Sequence, residues 1–492
     1  MPTLTVWQGE TKTDVKFHGT PLLSAVLQEQ GFPLAFPCGG KGVCGKCRVQ
    51  AAGALSPAAA EEPAPDSRLA CRTTLLGDAA VWLPIAAALE SIAASGITPS
   101  FVKNPMPGRY GLAVDIGTTT LAAALVSLVN GSVLATATAE NPQRAIAADV
   151  IGRIEAAMAG KAGRLQTLVQ TAVEQLRHSL CAQLALPDHA IDQTVITGNT
   201  TMLCLLTGGN PEPLSHAPFR AESLFGLWLA TPAAPTYLPH CIGAFVGADI
   251  TCAILAAQLC HRQETALLLD VGTNGEIAMW HKGRLYACAT AAGPAFEGGG
   301  IEQGCCSVAG AIDRVWDQNG QLACATIGNA EPTGICGSGI LDAVATLLRL
   351  GLLDETGLLT EKRVPLRGQI AITQKDIRNV QLAKSAIAAG MLTLCHAVGI
   401  PVEEVAALYL AGGFGKHINL QNAAAIGLIP QALVDKTKVI GNAALVGAEM
   451  LLLQTDFIRE IETCALQCEV NPLSSNPVFA ENYIQCMALE PI

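Results

Sequence analysis

Four cysteines near the start of the chain have the residue type and the spacing of an iron–sulfur site. Cys38, Cys44 and Cys47 form a C-x5-C-x2-C run, and Cys71 follows at a distance. Two irons need four thiolates, and one tight loop can supply three of them. Glycines at positions 39, 40, 42 and 45 let such a loop wrap closely and direct N–H groups at the sulfurs. The pattern predicts a [2Fe–2S] cluster; a structural zinc site or unliganded thiols are the alternatives.

Two Asp-x-Gly-Thr turns, each after an apolar strand, indicate a second kind of chemistry. Their residues are Asp115, Gly117, Thr118, Thr119 and Thr120 in the first turn, and Asp270, Gly272, Thr273, Asn274 and Gly275 in the second. Backbone N–H groups and threonine hydroxyls in such turns bind phosphate oxygens. The aspartates would orient Mg²⁺ through water, because Mg²⁺ keeps much of its hydration shell. Two turns that face each other would bind a triphosphate from both sides.

A third glycine turn extends this predicted nucleotide site. The stretch Leu410-Ala-Gly-Gly-Phe-Gly415 is an apolar strand that runs into glycines. A nucleoside can lie flat against a backbone that carries so few side chains. We therefore expect Gly412, Gly413 and Phe414 to bind the nucleoside of the nucleotide.

The elements that must position these residues fall into two modules. A hairpin, a short helix, the cysteine loop and later strands indicate a small β-grasp ferredoxin at residues 1–88. Residues 89–109 contain a proline-rich stretch and are predicted to be a linker. The rest alternates strands and helices, and the repeated Asp-x-Gly-Thr pattern indicates internal duplication. We expect two similar α/β lobes at residues 110–262 and 263–492, the second with a C-terminal segment.

Composition narrows the partners and the location. The net charge is −11 without a basic block, which argues against a nucleic-acid partner because phosphate neutralisation needs clustered Lys and Arg. Half of the residues are hydrophobic, but no uninterrupted apolar run is long enough to predict a membrane helix. The first residues lack the pattern of a signal peptide. We therefore expect a cytoplasmic protein in a reducing, anaerobic cell.

The remaining cysteines are interpreted mainly as small buried hydrophobic residues. Cys305 and Cys306 are adjacent, so both thiols cannot easily point at one metal. Cys464 and Cys468 are spaced to share a helix face, and Cys486 follows further on. A second metal site at these three residues is the alternative to buried thiols.

The two phosphate turns and the Gly412-Gly413 turn, in this order, resemble the actin-like ATPase superfamily of acetate and sugar kinases, heat-shock chaperones and actin. The stretch Val246-Gly-Ala-Asp-Ile-Thr251 falls where that superfamily has its first connecting helix. The resemblance implies that Asp249 is a third acidic residue near the γ-phosphate. Residues 441–448 fall where the second connecting helix belongs. Ordinary helix packing is the alternative for both stretches.

The combination of a ferredoxin and such an ATPase resembles the reductive activators of corrinoid proteins. Matching phrases are residues 37–42 (PCGGKG), 198–202 (GNTTM), 293–298 (GPAFEG), 334–339 (GICGSG) and 372–384. Longer members carry an additional domain between the two modules, so we expect this chain to lack that middle domain.

The resemblance implies an ATP-dependent repair reaction. An electron passes from the [2Fe–2S] cluster to the cobalt(II) form of a corrinoid protein and regenerates cobalt(I). The implied cofactors are the cluster, ATP and Mg²⁺, with Asp115, Asp249 and Asp270 as the catalytic carboxylates and Cys38, Cys44, Cys47 and Cys71 as the cluster ligands. The implied partners are the corrinoid protein and an upstream low-potential reductant, and a homodimer is possible.

Three other interpretations remain open from the sequence. The first is an activator of another low-potential metalloenzyme, such as a dehydratase or a reductase. The second is a small-molecule kinase of the actin-like fold with a redox-sensing ferredoxin domain. The third is an electron-transfer module with a degenerate ATPase half, against which the intact Asp115, Thr118, Asp270 and Thr273 argue.

Overall fold

The structure is a computed structural model, and it describes residues 1–8, 11–30, 32, 47–57, 67–83, 94–412 and 418–492. By the contacts between its residues, the chain divides into two compact units. One unit comprises residues 1–88 and 141–169, and the other comprises residues 89–140 and 170–492.

The described part of residues 1–88 forms a five-stranded sheet with one helix. The elements are β1 (Thr3–Gln8), β2 (Thr11–Lys16), α1 (Leu23–Glu29), β3 (Arg48–Leu55), β4 (Ser67–Leu69) and β5 (Leu75–Leu83). The strand order is β2-β1-β5-β3-β4, with β1 antiparallel to β2 and parallel to β5. Apolar side chains alternate along the strands and meet Leu23 and Leu27 of α1 in one core. This arrangement confirms the predicted β-grasp ferredoxin fold.

The next part of the chain begins with a three-stranded antiparallel meander and builds a second sheet. Its elements are β6 (Tyr110–Ile116), β7 (Thr120–Ser127), β8 (Val133–Glu140), α2 (Val150–Ala156), α3 (Ala162–Gln183), β9 (Gln193–Gly198), α4 (Thr200–Thr207), β10 (Leu227–Leu229), β11 (Thr236–Leu238) and α5 (Ala248–Ala256). The strand order is β10-β11-β9-β6-β7-β8.

The last part builds a third sheet and several helices. Its strands are β12 (Ala266–Val271), β13 (Gly275–His281), β14 (Arg284–Thr290), β15 (Ala311–Gln318), β16 (Gln321–Thr326), β17 (Gly334–Ile335), β18 (Arg363–Arg367), β19 (Ile370–Thr373), β20 (Ala407–Gly412), β21 (Thr437–Gly441) and β22 (Glu469–Val470). Its helices are α6 (Gly337–Arg349), α7 (Gln374–Ala397), α8 (Leu420–Ala425), α9 (Ala443–Leu453), α10 (Asp456–Gln467) and α11 (Pro477–Gln485).

The two larger sheets follow the same plan. In the first, β6, β7 and β8 are antiparallel, while β9 lies parallel to β6 and β11 lies parallel to β9. In the second, β12, β13 and β14 are antiparallel, while β20 lies parallel to β12 and β21 lies parallel to β20. This repetition confirms the duplicated α/β lobes of an actin-like fold, with Asp115 and Asp270 at equivalent strand ends.

The two lobes are joined by the helices α5 and α9, which lie where the sequence resemblance places the connecting helices. A Cβ atom added at Gly447 would lie only 2.1 Å from the carbonyl oxygen of Cys252. The α9 backbone therefore contacts the α5 backbone directly at this point, and no larger residue than glycine fits without a shift.

Residues of α7 form hydrogen bonds to the last residues of the chain. Gln381 donates to the carbonyl oxygen of Met487 over 2.9 Å, and Ser385 donates to that of Cys486 over 2.7 Å. Lys384 is completely buried and donates to the carbonyl oxygen of Ala488. These contacts satisfy polar groups that would otherwise be costly to bury.

Among the described residues, no helix is long and apolar enough to cross a membrane.

We expect Gly447→Ala to lower the thermal unfolding midpoint of the protein. The added methyl group forces α5 and α9 apart, and overpacking of this kind costs about 1–3 kcal/mol. The matched control is Gly163→Ala in α3, where an added Cβ meets nothing within 4 Å, so its expected effect is neutral or slightly stabilising. Thermal unfolding of both variants checks this, and equal midpoints would contradict the direct helix contact.

Candidate functional site

Two of the four predicted cluster cysteines lie side by side. Cys47 precedes β3 and Cys71 follows β4, and the pairing of these strands brings the two residues together. Their Sγ atoms are 3.2 Å apart, and both residues are buried. Two converging thiols far apart in sequence fit a shared iron, which thiolates ligate. Cys38 and Cys44 lie outside the described residues, so their part in the cluster stays a prediction.

The two predicted phosphate turns are tight hairpins. The Gly117 N–H donates to the Thr120 carbonyl over 3.1 Å, and the Gly272 N–H donates to the Asn274 carbonyl over 3.0 Å. Both turns line one cavity of about 170 Å³. The cavity is lined by the residues Asp115, Gly117, Thr118, Thr119, Thr120, Ala122, Asn199, Asp249, Asp270, Gly272, Thr273, Asn274, Glu276, Glu297, Gly412, Asn442 and Ala444.

Most of the described residues that the sequence assigned to nucleotide binding therefore lie together. Gly275 is the exception: it lies at the start of β13, and a Cβ there would meet Thr290 Oγ1 at 2.7 Å. Gly412 lies next to Asp270 with a φ of +94°, and a Cβ there would lie 2.5 Å from Asp270 Oδ1. Glycine is therefore required at position 412. Gly413 and Phe414 lie outside the described residues.

Glu297, which no sequence pattern singled out, connects the two turns. Glu297 Oε2 accepts a hydrogen bond from the Thr119 hydroxyl over 3.1 Å and from the Thr273 hydroxyl over 2.7 Å. These hydroxyls belong to different lobes. Each carries a single proton, so it can donate either to Glu297 or to a phosphate oxygen at any moment.

Four further carboxylates line the cavity: Glu276 is buried, and Asp115, Asp249 and Asp270 are partly buried. Burial raises the pKa of Asp115 to about 6, and a hydrogen bond from Asn442 opposes that shift. Burial, followed by the charges of Asp249, Asp115 and Glu297, raises the pKa of Asp270 to about 8. The pKa values of Asp249 and Glu276 are also raised, first by burial and then by neighbouring aspartates. A cation would relieve this crowding by favouring the charged forms.

This donor set fits a hydrated Mg²⁺ better than a directly ligated metal. Carboxylate oxygens are the ligands that Mg²⁺ prefers, and the ion usually keeps several waters and binds substrate phosphates. Among the described residues, no group of three or more His, Cys, Asp and Glu side chains converges closely enough to bind a metal ion. Asp115, Asp249 and Asp270 would therefore act on Mg²⁺ largely through water.

Two asparagines position the turn residues. Asn199 caps the N-terminus of α4 and donates to Thr118 Oγ1 over 3.2 Å. Asn442 caps the N-terminus of α9 and donates to Asp115 Oδ2 over 2.9 Å. The helix termini thus fix the side chains that line the cavity.

No sequence pattern assigned a role to Asn199, Asn442, Glu276 or Glu297. Asn199, Asn442 and Glu297 lie in stretches that carry the family resemblance. Glu276 had a local signal, because it follows the second turn directly and pairs in register with Asp270 across the hairpin. Its side chain therefore lies on the same face of the sheet as Asp270. Glu297 had no comparable signal.

The chain matches three family profiles. The profile of the "2Fe-2S iron-sulfur cluster binding domain" matches residues 5–76. The profile of the "RACo middle region" matches residues 110–262, and that of the "C-terminal domain of RACo the ASKHA domain" matches residues 264–491. The second match corrects our expectation that the chain lacks a middle domain, because the middle region is present in the stretch that we interpreted as the first lobe.

Two characterised relatives and one solved structure are similar over most of the chain. "Corrinoid activation enzyme RamQ" of Eubacterium limosum is 34% identical over 417 residues, which cover 76% of this chain and 69% of that protein. The "[Co(II) methylated amine-specific corrinoid protein] reductase" of Methanosarcina barkeri is 26% identical over 392 residues, which cover 72% and 71%. The structure of a "Reductive activator for corrinoid,iron-sulfur protein" superimposes with a TM-score of 0.73 at 26% identity, covering 100% of this chain and 99% of that one.

The fold and the cavity thus define a [2Fe–2S] ferredoxin domain fused to an actin-like ATPase. Together with these matches, they show that the chain belongs to the family of corrinoid activation proteins that includes RamQ.

We expect Glu297→Ala to bind a non-hydrolysable ATP analogue about tenfold more tightly. The substitution frees the hydroxyls of Thr119 and Thr273 for phosphate oxygens and removes a negative charge from the cavity. Titration calorimetry measures the affinity. Glu302→Ala, which removes a half-exposed carboxylate from the same segment, is the control and should bind as the wild type does. Weaker binding by Glu297→Ala would mean that Glu297 positions the two hydroxyls for the nucleotide instead of competing with it.

Proposed function

We propose that this protein uses ATP to transfer an electron from its [2Fe–2S] cluster to the cobalt(II) form of a corrinoid protein, regenerating cobalt(I). One observation carries the proposal: the chain joins a buried pair of converging thiols to a cavity that has two facing phosphate turns. The family membership supports this reaction over the dehydratase activator, the small-molecule kinase and the degenerate module.

In this proposal, the cluster ligands belong to the ferredoxin module and the nucleotide-binding residues belong to the ATPase module. Cys38, Cys44, Cys47 and Cys71 ligate the cluster, which supplies a single low-potential electron when it is bound. The turn residues and Gly412, Gly413 and Phe414 bind the nucleotide. Asp115, Asp249 and Asp270 orient the waters of Mg²⁺ at the phosphates.

ATP is needed because the electron transfer is uphill. A one-electron gap of about 100 mV corresponds to about 2.3 kcal/mol. A nucleotide can shift such an equilibrium only by binding one conformation more tightly than another. Two lobes joined by the connecting helices α5 and α9 provide a hinge of the required kind.

The finer features of the system are part of the same proposal. The protein works in the cytoplasm, receives its electron from a low-potential reductant and can form a homodimer. Its domains are the ferredoxin at residues 1–88, a linker at 89–109, and the two ATPase lobes at 110–262 and 263–492.

The test mixes the purified holoprotein, a strong reductant and a corrinoid protein in the cobalt(II) state. We expect cobalt(I) absorbance to develop only when Mg·ATP is present. Cobalt(I) formation that ignores ATP, or ATP-dependent phosphorylation of a metabolite, would overturn the proposal.

Three variants separate the two modules. We expect Cys71→Ser to lose cobalt reduction by about a hundredfold or more while keeping nucleotide affinity, because one cluster ligand is lost. Cys181→Ser, which changes a buried cysteine of α3, should keep both properties. Asp270→Ala should lose the stimulation by ATP but keep the visible spectrum of the cluster. Loss of the cluster in Asp270→Ala would contradict the two-module account.

A further inference from the structure

A second pair of cysteines lies in contact in the unit that comprises residues 89–140 and 170–492. Cys260 lies in the short helical turn after α5, and Cys464 lies on α10. Their Sγ atoms are 3.3 Å apart although the residues are 204 positions apart in sequence. The two thiols therefore meet where two separate elements pack together, and both residues keep partial solvent exposure.

The surrounding contacts fix the position of α10 against this turn. His261 Nε2 lies 2.7 Å from Glu460 Oε1, and the Tyr237 hydroxyl donates to Glu462 Oε1 over 2.9 Å. The contact between Cys260 and Cys464 is thus one of several that hold α10 in place. Cys486, which the sequence analysis grouped with Cys464, lies beside α7, where its carbonyl accepts from Ser385.

The chemistry of the pair favours oxidation over metal binding. The hydrogen bond between the Cys464 and Cys260 thiols lowers the pKa of Cys464 and raises the pKa of Cys260. Cys464 is therefore the thiol that more readily forms a thiolate, which is the attacking species in thiol–disulfide exchange. Among the described residues, no set of three or more potential ligands could hold a metal ion, although Cys468 follows one turn later.

We propose that Cys260 and Cys464 are a redox modification site that forms a reversible disulfide with a low-molecular-weight disulfide as the oxidant. The Cys464 thiolate attacks one sulfur of the oxidant, forms a mixed disulfide and releases the first thiol. Cys260 then loses its proton and attacks Cys464 Sγ, and the second thiol leaves. Two protein thiols are oxidised to a disulfide, and the oxidant is reduced to two thiols.

The position of the pair gives this bond a consequence for the nucleotide site. The chain runs from Asp249, at the start of α5, through that helix to Cys260. Another stretch runs from Asn442 through α9 to α10 and Cys464. A covalent link between the far ends would restrict movement between the two connecting helices. It would therefore slow ATP hydrolysis by about fivefold or more. Under oxidising conditions, the protein would then hydrolyse less ATP.

The test treats the anaerobic holoprotein with glutathione disulfide. We expect peptide mapping to show a cross-linked pair that contains Cys260 and Cys464 and lacks two hydrogen atoms. ATP hydrolysis should fall with the cross-link and recover after reduction with dithiothreitol. Intact visible absorption of the cluster shows that Cys47 and Cys71 have not reacted. These readouts need no corrinoid protein, so they can fail or succeed independently of the proposed function.

Matched variants keep the test decisive. Cys464→Ser and Cys260→Ser should hydrolyse ATP like the reduced wild type and should not respond to the oxidant. Cys324→Ser, which changes a partly exposed cysteine of β16, should keep the full response. Mixed disulfides with glutathione in place of the cross-link would contradict the proposed disulfide between Cys260 and Cys464. A cross-link that leaves ATP hydrolysis unchanged would overturn its regulatory consequence.

Discussion

The nucleotide cavity depends on one unfavourable arrangement, the crowding of several buried or partly buried carboxylates. Asp115, Asp249 and Asp270 each lie at the start or end of a buried element, and Glu276 lies opposite Asp270 on the adjacent strand. Desolvation and mutual repulsion both disfavour their charged forms. A fold that keeps such a cluster must gain from it elsewhere, and the Mg²⁺ ion of a bound nucleotide supplies positive charge beside it.

The duplicated lobes explain how this cluster is assembled. Each lobe has an aspartate one residue before the end of a central strand, and a tight glycine turn follows the strand, so two equivalent sites face the same cavity. The connecting helices bring further groups from elsewhere, since α5 carries Asp249 and the cap of α9 donates to Asp115. The close contact at Gly447 holds these helices together. Movement between the lobes therefore changes the spacing of charges that bind the nucleotide.

The patterns that the sequence revealed are local. The cysteine run, the two Asp-x-Gly-Thr turns and the connecting-helix phrases each lie within about a dozen residues, and the strands and helices around them follow from hydrophobic periodicity. The residues that it missed act across long separations. Glu297 meets Thr119 from 178 positions away, and no periodicity encodes that contact.

The cysteines show the same difference. The spacing of Cys464 and Cys468 indicated a shared helix face, but α10 contains Cys464 and ends before Cys468. The spacing also could not identify Cys260 as the residue that packs against Cys464. Only the packing of α10 on the region after α5 reveals that neighbour. The expectation of a missing middle domain failed for a related reason, because one stretch can be both an ATPase lobe and the family's middle region.

Proton release on nucleotide binding tests the central claim most directly. Binding of Mg²⁺ to the protein loaded with a metal-free ATP analogue, measured by calorimetry near neutral pH in buffers of different ionisation enthalpy, counts the protons exchanged. The raised pKa of Asp270 leaves it partly protonated at that pH, so a bound cation should drive a proton out. We predict net proton release in the wild type and less release in Asp270→Asn. Proton uptake, or identical release in both proteins, would contradict the account.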